Sequence, residues 1–328
     1  MKIFAFNPAD YRDQYASQGW LHIPGGVDPD FLEVLREFLD RRDQHRVEGV
    51  AIGGRKDQAL YDFPADTDFP GELFDVVAGV CGLNRATMTL SERHLKAYDQ
   101  DAPPDVPPHK DRFASQVSVG LSIDIPAESK LLLYPNDDLW PNPYNVSSAL
   151  REALEPEQLP EVVLNEAQPV EIDDTGGDVM MFPGSAVWHV RRNQAGARNL
   201  YLKFNDFDCD PLGEDPMTAV RRAATLAALE MSDAEIAGYV PVTARRLDTV
   251  TRQYARNGGP QVMQANVWDE PPVVLDEHEL AALEAAGYST TVGAIAERLG
   301  ANGRDPGAVS TDLRRLARRG VLDLLPPG

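Results

Sequence analysis

The chain reads as an α+β protein in which an antiparallel double-sheet jelly roll follows N-terminal helices and precedes a second, mostly helical domain with a winged-helix-like end. Three observations point there. From about residue 86 the sequence breaks into short β-rich segments separated by Pro, Gly and Asp clusters, the pattern of an antiparallel double sheet. Acid is unevenly placed: residues 215–328 carry 12 Lys and Arg against 15 Asp and Glu, a net −3, which leaves −18 on residues 1–214. The join falls at Cys209-Asp210-Pro211-Leu212-Gly213-Glu214-Asp215-Pro216, a stretch that neither a helix nor a central strand accepts. The expected division is a jelly-roll domain over 1–208, a helical linker or dimerisation segment over 209–275, and a winged-helix-like domain over 276–328.

Taken in order, Pro8-Ala9-Asp10-Tyr11 opens a short helix and Trp20–Pro24 reads as a strand. Asp28-Pro29-Asp30 caps a helix to about Arg42, whose Phe31, Leu32, Val34, Leu35, Phe38 and Leu39 repeat every 3.6 residues. Strands follow over about 87–98, 115–125, 130–134, 177–182, 186–191 and 198–207. In the second of these, Val117, Val119, Leu121, Ile123 and Ile125 alternate with Gln116, Ser118, Gly120, Ser122 and Asp124. Residues 136–160 are too long for a hairpin loop and read as a lid, in which Trp140 and Tyr144, like Gln116 and Ser118 on the strand, are candidates to touch substrate. Beyond the join, helices are expected over 217–230, 233–239 and 244–256, an extended stretch over 257–274, then helices over 276–286, 291–299 and 307–319 and a closing strand.

With 328 residues, 43% hydrophobic and 25% charged, the composition is that of a globular protein rather than a disordered or fibrous one. A net charge of −21 disfavours nucleic acid and anionic membrane as partners. Two isolated cysteines, Cys81 and Cys209, argue against a disulfide scaffold or a zinc-thiolate site. Neither a signal-peptide core nor a membrane-length apolar run is present, so a soluble cytoplasmic protein is expected.

The sharpest local feature is His109-Lys110-Asp111, where residues i and i+2 of an extended segment present an imidazole and a carboxylate to the same side. Some 80 residues later, Gly177-Asp178-Val179-Met180-Met181-Phe182-Pro183-Gly184-Ser185-Ala186-Val187-Trp188-His189 ends a strand on a second histidine. Two histidines and one carboxylate make the facial set of non-heme Fe(II) oxygenases, which leaves iron positions open for cosubstrate and oxygen. Arg198 begins the next strand and shares the parity of Leu200, Leu202 and Phe204, which places it on the apolar side, taken as the inward one. An inward guanidinium fork suits a dicarboxylate, with Arg191 and Arg192 as local rivals. His94, Lys96 and Tyr98 share a strand ahead of the triad, and Tyr98 is the candidate for the cosubstrate pocket. His22, His45 and His278 have no partner pattern.

On these residues, roughly over 10–207, the chain resembles the Fe(II)/2-oxoglutarate-dependent dioxygenases and within them the phytanoyl-CoA-hydroxylase-like group. GWLHIPGGVDPDFLEVLREFLD resembles that group's N-terminal segment, His109 and Asp111 its His-x-Asp, His189 its distal histidine, and Asn193 and Arg198 the Asn and Arg that follow. The resemblance implies a double-stranded β-helix and Fe(II) held by His109, Asp111 and His189. It also implies 2-oxoglutarate chelating the iron with its far carboxylate on Arg198, and O2 as the oxidant. Because Asp111 is retained where related halogenases lose the carboxylate, it implies hydroxylation or desaturation. The substrate expected is a small metabolite, an amino acid or a biosynthetic intermediate, with 2-oxoglutarate decarboxylated to succinate.

Two alternatives accompany that reading. Some ribosomal-type protein hydroxylases append a helical dimerisation segment and a winged helix to the catalytic barrel, which keeps a protein substrate and a homodimer open. A non-enzymatic jelly-roll sensor would read DNA through Arg314, Arg315, Arg318 and Arg319. The competing reading of those arginines is a charged helix face in a packing domain.

Overall fold

A computed structural model describes residues 1–41, 56–67, 69–146, 148–253 and 262–327. His45, the end of the helix expected to Arg42, residues 254–256 of an expected helix and residues 257–261 of the extended stretch lie outside them. The chain divides into two compact units, Met1–Asp208 and Cys209–Gly328.

The first unit runs α1 (Arg12–Gln18), β1 (Leu21–Ile23), α2 (Pro29–Asp40), β2 (Lys56–Leu60), α3 (Phe74–Cys81), β3 (Thr89–Tyr98), β4 (Val117–Asp124) and β5 (Lys130–Tyr134). It continues through α4 (Ala149–Ala153), α5 (Pro160–Val163), β6 (Val170–Ile172), β7 (Val179–Phe182), β8 (Trp188–Arg192) and β9 (Arg198–Asn205). Local chemistry accounts for the starts: the Asp28 side chain accepts from the Asp30 N–H and Pro29 occupies the first turn, so α2 begins where the cap signal stands. Its buried stripe is Phe31, Leu35 and Leu39.

Two antiparallel sheets form, one of six strands in the order β1-β7-β4-β9-β3-β2 and one of three in the order β6-β5-β8. Leu131, Leu133 and Ile172 of the small sheet pack with Met180 and Phe182 of the large one, so the sheets face each other as in a jelly roll. The large sheet has two distinct faces. Val117, Val119, Leu121 and Ile123 of β4 and Leu200, Leu202 and Phe204 of β9 join Phe31, Leu35 and Val77 in one core beneath the helices. Each such fully buried side chain contributes roughly 1.5–3 kcal/mol. The alternate residues, Ser118 and Ser122 of β4, Glu92, His94 and Lys96 of β3 and Asn199, Tyr201 and Lys203 of β9, form the polar face turned toward the small sheet.

The second unit contains α6 (Pro216–Ala228), α7 (Asp233–Ile236), β10 (Val240–Thr243), β11 (Leu247–Gln253), β12 (Val262–Val267), β13 (Val273–Leu275), α8 (Glu277–Ala285), α9 (Val292–Gly300), α10 (Pro306–Arg318) and β14 (Leu322–Leu325). The mostly helical expectation, with one closing strand, is corrected by the five strands among its described residues. The helix expected over 244–256 is strand β11, because Val250 and the β-branched Thr249 and Thr251 pair antiparallel with β12. The break expected at 275 is crossed by β10 pairing with β14. A single core holds Ala228, Ile236 and Ala265 together with Val309, Leu313 and Leu316.

Arg314 of α10 is turned into this unit, while Arg315 and Arg318 stay exposed. Arg314 donates to the carbonyls of Leu229 (2.9 Å) and Met231 (2.7 Å), just beyond the end of α6, and pairs with Asp233. Arg315 and Arg319 both reach the buried Glu279. These contacts are those of a packing helix. Arg314→Ala removes charged donors from two carbonyls and is expected to destabilise the second unit by about 1.5–3 kcal/mol, read as a lower calorimetric transition for that unit.

Candidate metal centre and cavity

The extended segment after Pro107-Pro108 runs beside β8, and His109 and His189 exchange both backbone N–H···O bonds at 2.9 Å as an isolated antiparallel bridge. Two residues on, Asp111 N–H donates to the Gly184 carbonyl (2.9 Å) and the Asn142 side-chain amide donates to the Asp111 carbonyl (3.0 Å). The backbone therefore brings all three side chains to one place: one ligand atom from each of His109, Asp111 and His189 lies within 4.8 Å of the others. The imidazole rings sit 4.4 Å apart between centroids. Lys110 and Trp188, one residue off, border the adjoining cavity and reach toward residues 138–140. Lys110 Nζ donates to the carbonyls of Asp138 (2.5 Å) and Trp140 (2.7 Å), and Trp188 Nε1 donates to Asp138 Oδ2 (2.9 Å), which ties residues 138–140 down over the site.

The protonation pattern suits a metal. His189 Nδ1 lies 2.9 Å from the Val187 carbonyl, a bond that requires the proton on Nδ1 and leaves the Nε2 lone pair toward Asp111, whose Oδ2 is 3.7 Å away. Burial lowers the pKa of His189, and His109, although an exposed residue by surface, is held well below its usual value by desolvation and then by the neighbouring His189, both shifts favouring the neutral ring. Burial alone would raise Asp111, but the ammonium of Lys203 against it outweighs burial and keeps the carboxylate ionised. Ser118 Oγ donates to Asp111 Oδ2 (2.6 Å), and Lys203 Nζ touches the same oxygen.

Gly184 makes this packing possible. A Cβ there would lie 2.5 Å from Asp111 Oδ2 and inside the van der Waals radius of Ser118 Oγ. Gly184→Ala is expected to displace the carboxylate and to weaken metal binding by about 10-fold or more, the scale on which disturbed outer-shell partners act, with the calorimetric transition of the first unit retained.

A cavity of about 260 Å³ opens from the triad, walled by Lys56, Lys96, Tyr98, Leu131, Arg191, Tyr201 and Lys203 and, from residues 136–160, by Ser148, Leu150, Arg151 and Pro160. The segment read as a lid thus supplies part of the wall, although Trp140 itself is 81% exposed. Arg191 is buried and doubly paired with Asp174, at 3.0 and 2.8 Å, and Ser122 Oγ donates to the same carboxylate at 2.5 Å. Its Nε is buried with no hydrogen-bond partner.

Of the cosubstrate residues expected, Tyr98 lines the cavity, whereas Arg198 and Asn193 do not. Arg198 shares the face of Leu200, Leu202 and Phe204, as its parity requires. That face lies beneath the helices, and Arg198 pairs there with Asp124 (3.4 Å), which Arg36 of α2 also approaches. Asn193 is a turn residue at φ 52° whose side chain donates to the Glu128 carbonyl (3.0 Å). Gln116 accepts from the Asp206 N–H, away from the cavity. Lys56, Lys203 and the pairing of Arg191 with Asp174 went unseen in the sequence; the strand parity of Lys203, one residue off the apolar series of β9, was the available signal.

No family model matches the chain, and no curated protein does. Among solved structures it is similar to the non-heme α-ketoglutarate-dependent carbocyclase SnoK from nogalamycin biosynthesis, with a TM-score of 0.46 and 11% identity over 63% of this chain and 87% of that one. It is similar too to the α-ketoglutarate-dependent epimerase SnoN of the same biosynthesis, at a TM-score of 0.44 and 17% identity over 61% and 80%. A third is a Pseudomonas putida prolyl-4-hydroxylase, at 0.42 and 15% over 60% and 97%. All three likenesses are distant in fold and in sequence.

Proposed function

We propose that the chain is an Fe(II)- and 2-oxoglutarate-dependent oxygenase that hydroxylates a small metabolite. The observation that carries this reading is the convergence of two histidines and one ionised carboxylate, His109, His189 and Asp111, beside a cavity between two sheets. The donor set fits iron, because His189 offers a defined lone pair and Asp111 is held charged. Iron and 2-oxoglutarate, when bound, supply the oxidising power through decarboxylation of the keto acid to succinate.

The residues of the chain do the rest. His109, Asp111 and His189 would hold the metal. Arg191, with its buried Nε unpartnered, and the flanking Tyr98 and Tyr201 would take the far carboxylate of the cosubstrate in place of Arg198. Lys203 and Ser118 orient Asp111. Leu131, Leu150 and Trp188 give the cavity apolar walls that limit water. A cavity of about 260 Å³ suits a small substrate better than a folded protein.

Anaerobic addition of Fe(II) and then 2-oxoglutarate tests the reading through the weak visible charge-transfer band of the chelate. The expected result is a band in the wild type and in Arg198→Ala at the same 2-oxoglutarate concentration. No band in the wild type would overturn the proposal, and a loss confined to Arg198→Ala would return the anchoring role to that residue.

A further inference from the structure

The cavity holds more positive charge than iron and cosubstrate consume. Six cations line it: Lys56, Lys96, Lys110, Arg151, Arg191 and Lys203. The carboxylates that pair with them are five: Glu92, which Arg112 shares, lies 3.5 Å from Lys96, Asp138 is 3.3 Å from Lys110, Glu161 is 2.6 Å from Arg151, Asp111 touches Lys203, and Asp174 holds Arg191. A divalent metal and a dicarboxylate cancel one another, so loading the site leaves the excess in place.

That excess is localised on Lys56. It stands at the head of β2, in register with Tyr98, and its Nζ lies 5.5 Å from the Tyr98 ring centroid. Among the described residues no carboxylate forms an ion pair with it, whereas each of the other five cations has one. Burial, and then the nearby Lys96, push its amine down to about 7, as expected for a cation without a counter-ion. In a chain of net charge −21 a positive pocket of this kind focuses anions inward.

We propose that Lys56 is the substrate-recognition residue of this cavity and that the substrate oxidised there is a small anion, carrying a carboxylate or a phosphate that Lys56 pairs. The inference rests on the oxygenase reading for the word substrate, while the anion site itself stands on the cavity alone. It adds to that reading a chemical class, small acids, and excludes neutral metabolites of the same shape.

Amine acylation with acetic anhydride, mapped by mass spectrometry, tests it in the full-length wild-type protein with and without iron. The probes are benzoate and phenyl phosphate, with benzamide as the neutral twin and Lys130 as the surface control. Benzoate or phenyl phosphate is expected to slow acylation of Lys56 about threefold or more, the effect of two-thirds occupancy by mass action, while benzamide and Lys130 show no change. Protection by benzoate alone assigns a carboxylate, and by phenyl phosphate alone a phosphate; either supports the proposal. Protection by neither, or equally by benzamide, overturns it. So does full protection by 2-oxoglutarate alone joined to a weakened chelate band in Lys56→Met, which would make Lys56 a cosubstrate anchor. Failure of the oxygenase reading is distinguishable, since it removes the band from the wild type and leaves the metal-free acylation result standing.

Discussion

His189→Ala is expected to lose Fe(II) binding by more than about 100-fold, beyond the roughly 10–100-fold that removal of an outer-shell partner costs, and to lose the 2-oxoglutarate chelate band with it. The argument is geometric. His189 is the one member of the set whose lone pair is assigned by a backbone hydrogen bond, at 2.9 Å to the Val187 carbonyl, and Phe182 packs against its ring at 4.8 Å. Alanine keeps the backbone bridge to His109 and deletes only the ligand. Asp111→Ala is a poorer choice, since Lys203 is buried and takes its counter-charge from that carboxylate, so the variant strands a cation as well as removing a ligand. Anaerobic titration calorimetry with Fe(II), beside the thermal transition of the metal-free variant, checks the prediction. Near-wild-type metal affinity in His189→Ala would mean that the three side chains meet for structural reasons.

Asp174→Ala is expected to destabilise the first unit by about 3–5 kcal/mol, the cost of leaving a buried partner uncompensated. The Arg191 and Asp174 side chains are 2% and 0% exposed and are joined by two parallel bonds that span from β8 to the loop before β7. Ser122 of β4 also spends its hydroxyl on Asp174, so the loss reaches both sheets. Replacing both partners, Asp174→Leu with Arg191→Met, is expected to recover a large part of that stability and yet to abolish tight 2-oxoglutarate binding. Urea denaturation of the wild type and the two variants, with cosubstrate titrations of the folded ones, separates the two effects. Equal cosubstrate affinity in the double variant and the wild type would move the anchoring role to Lys96 or Lys203.

Much of this site is legible in the sequence, and the part that is not has a specific cause. His109, Asp111 and His189 stand out because a metal needs few residue types at a strand-compatible spacing. Arg198 illustrates the limit. Its parity with Leu200, Leu202 and Phe204 is correct, but parity says which residues share a face and not what that face meets. In most sheets the apolar side is the inside; here helices α1 to α3 cover it, and the barrel interior is the polar side, Asn199, Tyr201 and Lys203. The helix expected over 244–256 failed for a related reason. Its strand partner β12 lies in a stretch punctuated by glycines and proline, so the pairing that outweighs local preference is not visible in the window itself. Lys56 heads a short edge strand whose KDQAL sequence carries no period-two signal.

The bridge that joins the backbones of His109 and His189 bears on how the protein acquires its metal. Two of the three ligand positions are pinned by main-chain bonds that exist without any ion, and the third, Asp111, is pinned by Gly184. Binding therefore carries little ordering entropy and is not the event that folds the chain, unlike in small zinc domains, where metal and fold arrive together. Chelation should strip the ion and return a compact apoprotein that reloads at once, its thermal midpoint rising with Fe(II) concentration as simple mass action requires. Supply of iron would then set the occupancy of this site reversibly, without deciding whether the chain folds.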